Sequence, residues 1–215
     1  MLLLDARDGE YKEALKLNKN SVEIDNGINT DILENDLKNL NIVGKANNKL
    51  NVCTIGRICN QKNPKSFNNI AVNLKDNNFM WIGDGEERNE LKADNITITG
   101  WKKREDVIIE LEKNDVFILT SLWEGLPYSL LEAMYMQKVC IVSDCIGNRD
   151  VILNNQNGFI AKTDEDFVRI IKQIENKEID ISKIKAESKK EIETKYSLSI
   201  MSKKYMNLYS DINYK

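Results

Sequence analysis

Histidine and long apolar runs are both absent from this sequence of 215 residues. Because Ser-His-Asp and Cys-His catalysis both need an imidazole, neither mechanism is available from within this chain. No apolar run approaches the roughly 18–20 residues that a membrane-spanning helix requires. The start of the chain, from Met1 to Asp5, becomes charged too early for a secretory signal peptide. These features favour a cytoplasmic protein, with peripheral attachment at the inner face of the membrane as the alternative.

A strong net charge and the cysteine spacing of a metal site are also lacking. The formal net charge of −3 gives no general attraction to nucleic acid or to an anionic membrane. A structural zinc site needs closely spaced cysteine pairs or histidines, which Cys53, Cys59, Cys140 and Cys145 do not supply. Cys53 and Cys140 lie in apolar, strand-like runs, so we expect them to be buried free thiols.

Strand-like and helix-like segments alternate from about residue 50 onward. The predicted strands are 51–58, 79–82, 96–99, 116–119, 139–142 and 158–160, and the predicted helices between them are 64–74, a short one from Glu86, 105–112 and 127–136. Repeated β-α units of this length predict an α/β fold with a doubly wound, Rossmann-like parallel sheet. The crossovers between its strands should be right-handed.

The two ends of the chain differ from this central part. Residues 46–175 form the predicted Rossmann-like domain, and residues 176–215 form trailing helices, one of them Lys/Glu-rich over 183–195. Residues 197–212 carry apolar side chains at helical spacing, so one face requires a partner. Residues 1–45 offer a strand at 2–4, a helix at 10–17 and a strand at 22–24 before a turn at Asn26-Gly27, which is too little for a domain.

The most informative segment runs from Glu124 to Glu132, Glu-Gly-Leu-Pro-Tyr-Ser-Leu-Leu-Glu. It follows a buried strand, turns at Gly125 and Pro127, and opens a helix. Open α/β sheets bind ligands at such loops, and the helix N-terminus suits a phosphate. The two carboxylates suit hydroxyl groups, such as those of a ribose or a sugar.

Other loops at the carboxyl ends of predicted strands carry matching groups. Gly56 allows close approach of the backbone, and Arg57 and Lys62 are spaced to flank one diphosphate, although an ordinary surface loop is equally compatible. Trp101 either flanks a base or caps the core. The remaining loops are Gly83-Asp84-Gly85, Gly100-Trp101-Lys102 and 143–150. A parallel sheet would gather all of them at one edge.

Together these segments resemble the C-terminal, nucleotide-sugar-binding half of family 4 glycosyltransferases, which are retaining enzymes of the GT-B fold. The resemblance covers about residues 22–165. The matching residues are Asn26-Gly27-Ile28-Asn29, Gly56-Arg57 with Lys62-Asn63, Gly83-Asp84-Gly85, Gly100-Trp101, Glu124-Gly125-Leu126-Pro127 with Glu132-Ala133, and Gly158-Phe159. They occur in the order of the family.

The resemblance implies roles for these residues. Arg57 and Lys62 would bind the donor diphosphate and stabilise the departing nucleotide, Glu124 would contact the donor sugar, and Glu132 would bind the ribose. The other donor-binding residues that it implies are Gly56, Gly83, Gly85, Gly100, Trp101, Gly125, Leu126, Tyr128 and Ser129. The donor would be a nucleotide-sugar, with UDP favoured as the nucleotide. No metal or other cofactor is expected, because the cations and the helix N-terminus supply positive charge.

An Asp-x-Asp pair at Asp164 and Asp166 is a motif that some metal-dependent sugar transferases use. A helical apolar pattern follows at once, which favours a helix start capped by Thr163. The chain departs from the family pattern at 146–150, where the family often has Gly-Gly-x-x-Glu and this chain has Ile-Gly-Asn-Arg-Asp. This change leaves the preferred sugar open.

The acceptor-binding N-terminal domain of the family has no counterpart here, so residues 1–45 are interpreted as its tail and linker. The resemblance implies transfer to a saccharide or lipid-linked acceptor, with a partner chain or domain supplying the rest of the cleft. Two alternatives stay open: a non-catalytic nucleotide-sugar-binding subunit, and a fragment of a sugar-nucleotide 2-epimerase.

Overall fold

A computed structural model describes residues 3–4, 16, 19, 22–38 and 49–213 of the chain. The helix predicted at 10–17 lies outside the described residues, apart from Lys16. No helix within the described ranges has both the length and the apolar character needed to cross a membrane.

The described strands form two parallel sheets. A small sheet pairs β1 (Leu3–Leu4) with β2 (Val22–Glu23). The main sheet contains β3 (Asn51–Ile55), β4 (Asn78–Ile82), β5 (Ile96–Ile98), β6 (Val116–Leu119), β7 (Val139–Ser143) and β8 (Phe159–Ala161). Its six parallel strands lie in the order β5-β4-β3-β6-β7-β8. The predicted doubly wound sheet is therefore confirmed.

Helices cover both faces of the main sheet. They are α1 (Thr30–Lys38), α2 (Pro64–Asn73), α3 (Arg104–Glu112), α4 (Tyr128–Tyr135), α5 (Asn148–Val151), α6 (Asp164–Glu175), α7 (Ile181–Lys195) and α8 (Leu198–Asn213). The helix predicted from Glu86 is only a 3-10 turn at Arg88–Glu90. A second 3-10 turn, Asn60–Lys62, precedes α2.

Strand β6 shows why the sheet needs helices on both sides. All four of its residues are fully buried. Phe117 and Leu119 join the core against α3, α4 and α7, whereas Val116 and Ile118 join the core against α2 and α6. A continuous apolar run is typical of a parallel strand that is covered on both faces. Cys53 and Cys140 are buried thiols in this core, as expected.

The start of α6 confirms that Thr163 is a helix cap, because its hydroxyl oxygen accepts a hydrogen bond from the amide of Asp166. Asp164 accepts hydrogen bonds from Ser66 and Asn69 of α2, so its carboxylate joins two helices. Both acidic residues of the Asp-x-Asp pair therefore have structural partners. Asp166 also accepts from Arg169 at 2.7 Å.

The segment before the sheet packs against the segment after α7. Ile28 forms a parallel bridge with Ser197: the Ile28 amide donates to the carbonyl of Tyr196, and the amide of Leu198 donates to the Ile28 carbonyl, both at 2.8 Å. A side chain on Gly27 would collide with the Ser197 carbonyl, so only glycine fits this approach. Helix α1, which sequence patterning did not predict, places Leu33 in the same core as α3 and α4.

Helix α8 leaves part of its apolar face in contact with solvent. Leu198 and Tyr209 are exposed, whereas Met201, Tyr205 and Leu208 are half-buried. The face that the sequence predicts to require a partner is therefore only partly covered by the described residues.

Candidate functional site

The order of the sheet creates a crevice between β3 and β6. From β3 the chain proceeds outward through β4 and β5 on one side, and through β6, β7 and β8 on the other. The loops that leave the carboxyl ends of β3 and β6 therefore diverge, and open α/β sheets bind ligands at this switch point. The loop after β3 carries Lys62, and the loop after β6 carries Glu124.

Lys62 and Glu124 meet at this crevice. The Lys62 Nζ lies 2.5 Å from Glu124 Oε1, and the side chains are only 16% and 6% exposed. Ser121 Oγ donates a second hydrogen bond to the same carboxylate oxygen, also at 2.5 Å. A buried carboxylate requires such partners, because ionised groups lose their hydration on burial.

Backbone contacts fix the two loops against each other. The hydroxyl of Thr120 donates to the carbonyl of Lys62 at 2.8 Å, and the Leu122 amide donates to the carbonyl of Gln61. The amide group of Gln61 in turn donates to the Trp123 carbonyl at 3.0 Å. These bonds set the separation of Lys62 and Glu124 independently of their own ion pair.

Glu132 follows Glu124 in the chain, lies on α4, and is nearly buried. Its carboxylate accepts a 2.5 Å hydrogen bond from Nη1 of Arg104, the first residue of α3. The Glu132 side chain is 7% exposed, whereas that of Arg104 is 52% exposed. Burial raises the pKa of Glu132 above its ordinary value, and the charge of Arg104 opposes that rise.

Arg57 follows Gly56 but pairs with the next loop. Its guanidinium donates to both carboxylate oxygens of Glu86, at 3.0 and 2.7 Å. The bidentate contact raises the pKa of Arg57 and lowers that of Glu86 to about 2, chiefly through the hydrogen bonds. Both side chains are exposed, at 62% and 56%, so the guanidinium is accessible from solvent.

The glycines of the β3 and β4 loops permit a close backbone approach. A Cβ on Gly83 would lie 2.1 Å from the Gly56 carbonyl oxygen, and one on Gly85 would lie 2.2 Å from that of Ile58. The amide of Ile58 donates to the Asp84 carbonyl at 2.9 Å. The absence of a side chain at Gly83 and Gly85 therefore allows these two loops to pack together, whether or not either glycine also contacts a ligand.

The amino end of α4 offers unpaired donors to the crevice. The amides of Gly125, Leu126 and Ser129 donate no hydrogen bond to any residue that the structure describes. Pro127 begins this turn with an extended backbone and no amide donor. Free amides at a helix N-terminus attract anions.

A cleft of about 380 Å³ lies beside Lys62, Glu132 and the amino end of α4. Its lining residues are Ile55, Gly56, Lys62, Arg104, Val107, Pro127, Tyr128, Ser129 and Glu132. Five of the sequence-predicted site residues therefore share one cleft. The other eight lie outside its lining: Arg57, Gly83, Gly85, Gly100, Trp101, Glu124, Gly125 and Leu126. Trp101 is 67% exposed.

Asp150, in the segment that follows β7, forms a hydrogen bond within that segment. Asp150 accepts a 3.0 Å hydrogen bond from the amide of Gly147, which caps the short helix α5. A Cβ on Gly147 would collide with the carbonyl oxygen of Gly125, so this glycine lets the β7 loop touch the β6 loop.

Two site residues were not predicted from the sequence, Ser121 and Arg104. Ser121 precedes Glu124 by three positions, and a hydroxyl at that spacing in a tight loop is a usable signal. Arg104 lies 28 positions from Glu132, and only the fold brings them together.

The chain is similar in sequence to known glycosyltransferases. A family profile described as Glycosyl transferases group 1 matches residues 35–191. The chain is 36% identical over 147 residues to the Escherichia coli UDP-Gal:alpha-D-GlcNAc-diphosphoundecaprenol alpha-1,3-galactosyltransferase, covering 62% of this chain and 38% of the relative. It is 30% identical over 185 residues to a Campylobacter jejuni N,N'-diacetylbacillosaminyl-diphospho-undecaprenol alpha-1,3-N-acetylgalactosaminyltransferase, covering 81% and 47%. The chain therefore spans less than half the length of these relatives.

Solved structures share the fold. Anabaena HepE in complex with UDP superposes with a TM-score of 0.83 at 13% identity, covering 98% of this chain and 64% of HepE. A Staphylococcus aureus TarM variant in complex with fondaparinux, alpha-GlcNAc-glycerol and UDP gives 0.77 at 20% identity, covering 96% and 43%. These similarities show the GT-B type of α/β fold.

Proposed function

The chain belongs to the glycosyl transferases group 1 family, and on this premise we propose that it binds the nucleotide-sugar donor of a retaining, metal-independent glycosyltransferase. The observation that carries the proposal is the cleft at the switch point. One wall presents Lys62, paired with Glu124, and the other presents Glu132 and the amino end of α4. Cationic, hydroxyl-binding and anion-binding groups thus lie together, as a diphosphate joined to two sugars requires.

Each group has a proposed role. Lys62 and the free amides of the Gly125 loop bind the diphosphate, with Arg57 contributing from the rim. Glu124, whose Oε1 accepts from Lys62 and Ser121, contacts the donor sugar. During transfer, Arg57 and Lys62 stabilise the negative charge on the departing nucleotide, which replaces the role of a metal ion. Glu132 accepts hydrogen bonds from the ribose.

The favoured donor is a UDP-sugar, and the favoured acceptor is a saccharide or a lipid-linked saccharide. The names of the relatives support this choice: one is a UDP-Gal transferase, and both act on undecaprenol-diphosphate-linked sugars. We place the reaction at the inner face of the membrane, where a lipid-linked acceptor would be presented.

Transfer itself requires an acceptor-binding domain facing the donor cleft. Retention needs the acceptor hydroxyl on the same face as the leaving phosphate, and such positioning can be worth roughly 7–11 kcal/mol. We expect residues 1–215 alone to bind donor on the order of 0.1–1 mM and to show no significant transfer. A matching acceptor-binding domain, added as a separate chain, should produce activity.

Calorimetry with UDP-, GDP- and ADP-linked species tests the proposal directly. UDP or a UDP-sugar should bind without added metal. Glu132→Ala should weaken uridine and UDP alike, whereas Glu124→Gln should leave UDP binding almost unchanged and reduce transfer in the reconstituted enzyme. The absence of heat with every species at millimolar concentration would overturn the proposal, and so would robust transfer by the isolated chain.

A further inference from the structure

Arg104 is an arginine in the donor cleft that the family resemblance does not assign. It is the first residue of α3, and its side chain reaches Glu132 on α4 through the 2.5 Å contact between Nη1 and Oε1. Both residues line the same 380 Å³ cleft. Arg104 therefore joins α3 to α4 within this cleft.

The contact between Arg104 and Glu132 uses only some of the hydrogen-bonding positions of each side chain. A carboxylate has two oxygens and accepts several hydrogen bonds, and a guanidinium carries five N–H donors. One donor of Arg104 is committed to Glu132 Oε1. The guanidinium is half exposed and lines the cleft, so further donors remain for a ligand.

A ribose offers the complementary groups. Each of its two neighbouring hydroxyls can both donate and accept a hydrogen bond. A carboxylate alone or a guanidinium alone can satisfy only one of these two capacities. Glu132 can only accept, and Arg104 can only donate. A vicinal diol can therefore donate to Glu132 and accept from Arg104 at the same time.

We propose that Arg104 and Glu132 together form a clamp for the ribose diol, and that Arg104 selects ribonucleotides over 2′-deoxyribonucleotides. The inference rests on the proposed function, because it deepens the recognition of the donor nucleotide. A missing 2′-hydroxyl leaves Glu132 or Arg104 without one of its hydrogen bonds, and polar sites reject an analogue in this way. Arg104 also orients Glu132, because the guanidinium holds one carboxylate oxygen and leaves the other to the ligand.

The electrostatic environment supports this pairing. Burial raises the pKa of Glu132, and the neighbouring guanidinium is the charge that counteracts it. The ionised carboxylate is the stronger hydrogen-bond acceptor, so Arg104 favours the form that holds a hydroxyl most strongly.

The experiment compares the affinities of UDP and 2′-deoxy-UDP for matched variants. Wild type should prefer UDP by about tenfold, the equivalent of one charge-assisted hydrogen bond. Arg104→Ala should weaken UDP by about tenfold, weaken 2′-deoxy-UDP much less, and bring the ratio of the two affinities toward one. Lys103→Ala is the control: it removes one positive charge from the preceding residue, which does not line the cleft.

Two further variants keep the test decisive. Arg104→Lys retains the charge but loses the planar fork, so it should restore only part of the preference for UDP. Arg104→Gln retains a hydrogen-bond donor beside Glu132 and replaces the alanine variant if that variant fails to fold. It should also lower the preference for UDP.

The outcomes separate the two proposals. If wild type binds UDP and Arg104→Ala keeps both the affinity and the preference, the clamp is wrong while the donor site stands. Tighter UDP binding by Arg104→Ala would also overturn the clamp, since Arg104 would then compete with the ribose for Glu132. A wild-type chain that binds no nucleoside diphosphate would overturn both the clamp and the proposed function.

Discussion

Lys62 and Glu124 form a nearly buried ion pair across the switch point of the sheet, with 2.5 Å between Nζ and Oε1. The pair connects the loop that follows β3 to the loop that follows β6. It therefore couples the fold of the domain to the chemistry proposed for the cleft, and its removal should affect both stability and binding.

We predict that Lys62→Ala lowers the free energy of unfolding by about 1–3 kcal/mol, because a buried carboxylate loses a charged partner. The same change should weaken UDP binding while leaving uridine almost unaffected. Urea unfolding and calorimetry measure the two effects. Lys65→Ala is the control, because its side chain is 72% exposed and its contact with Glu90 is 4.0 Å. A stability loss as large in the control would contradict the argument.

Arg57→Ala should weaken diphosphate binding by about 1.5–3 kcal/mol through the loss of charge-assisted hydrogen bonds. It should scarcely change the stability, because its pair with Glu86 is exposed and such pairs contribute little. Affinities for UDP and uridine, measured side by side, check this. Arg88→Ala removes a similar exposed arginine, 2.8 Å from Asp84, and should leave UDP binding unchanged. Equal losses for UDP and uridine would exclude a diphosphate contact for Arg57.

Glu132 should make stability depend on pH. Its pKa in the folded protein is raised above the ordinary value of 4.5, so the folded state binds this proton more tightly than the unfolded chain. The contribution to stability is fully present below the pKa of the unfolded chain and is lost as pH rises through the folded pKa. As pH rises from the unfolded to the folded pKa of Glu132, wild type should therefore lose stability relative to Glu132→Gln.

Glu86 supplies the opposite sign as a comparison. Its pKa is lowered from 4.5 to about 2, so its contribution is present above the ordinary pKa and is lost as pH falls toward 2. That contribution is small, because water screens the exposed pair with Arg57. Urea unfolding across this acid range should show opposite trends for Glu132→Gln and Glu86→Gln, each relative to wild type. Parallel trends would show that the burial of Glu132 does not govern its titration.

Gly83→Ala should destabilise the domain by about 1–3 kcal/mol, because the new methyl group would overlap the Gly56 carbonyl oxygen and force the loops apart. Gly125→Ala is the control, since no described residue has an atom within 4 Å of its added Cβ. Thermal unfolding of the two variants measures the difference. Similar melting temperatures would mean that the β3 and β4 loops separate without cost.

The strands and most helices of the central domain could be predicted from the sequence, because apolar runs alternate regularly with helical patterns and turn residues. The strand predicted over 51–58 ends at Ile55, where Gly56 takes a positive φ of 148°. Helix α1 was not predicted: its nine residues contain few apolar positions, and Leu33 is its single fully buried side chain. Tertiary packing, rather than a local pattern, makes this segment part of the core.

Side-chain pairing could not be predicted from the sequence. Lys62 and Glu124 were each assigned to the site, but their direct contact depends on β3 lying next to β6. Arg104 was not assigned, because only the packing of α3 beside α4 places a cation at Glu132. Patterns along the chain identify which loops reach the edge of a sheet, whereas partners across loops follow from topology.

The bridge between Ile28 and Ser197 joins positions that are far apart in the chain. During synthesis, Ile28 emerges from the ribosome long before Tyr196, Ser197 and Leu198, which bind its backbone in the finished protein. The six described strands of the main sheet have all emerged once Ala161 has left the ribosome. Residues 24–28, however, cannot reach their final place until the start of α8 is free. We therefore expect a nascent chain halted near residue 195 to carry a formed sheet whose early segment is still open to proteases.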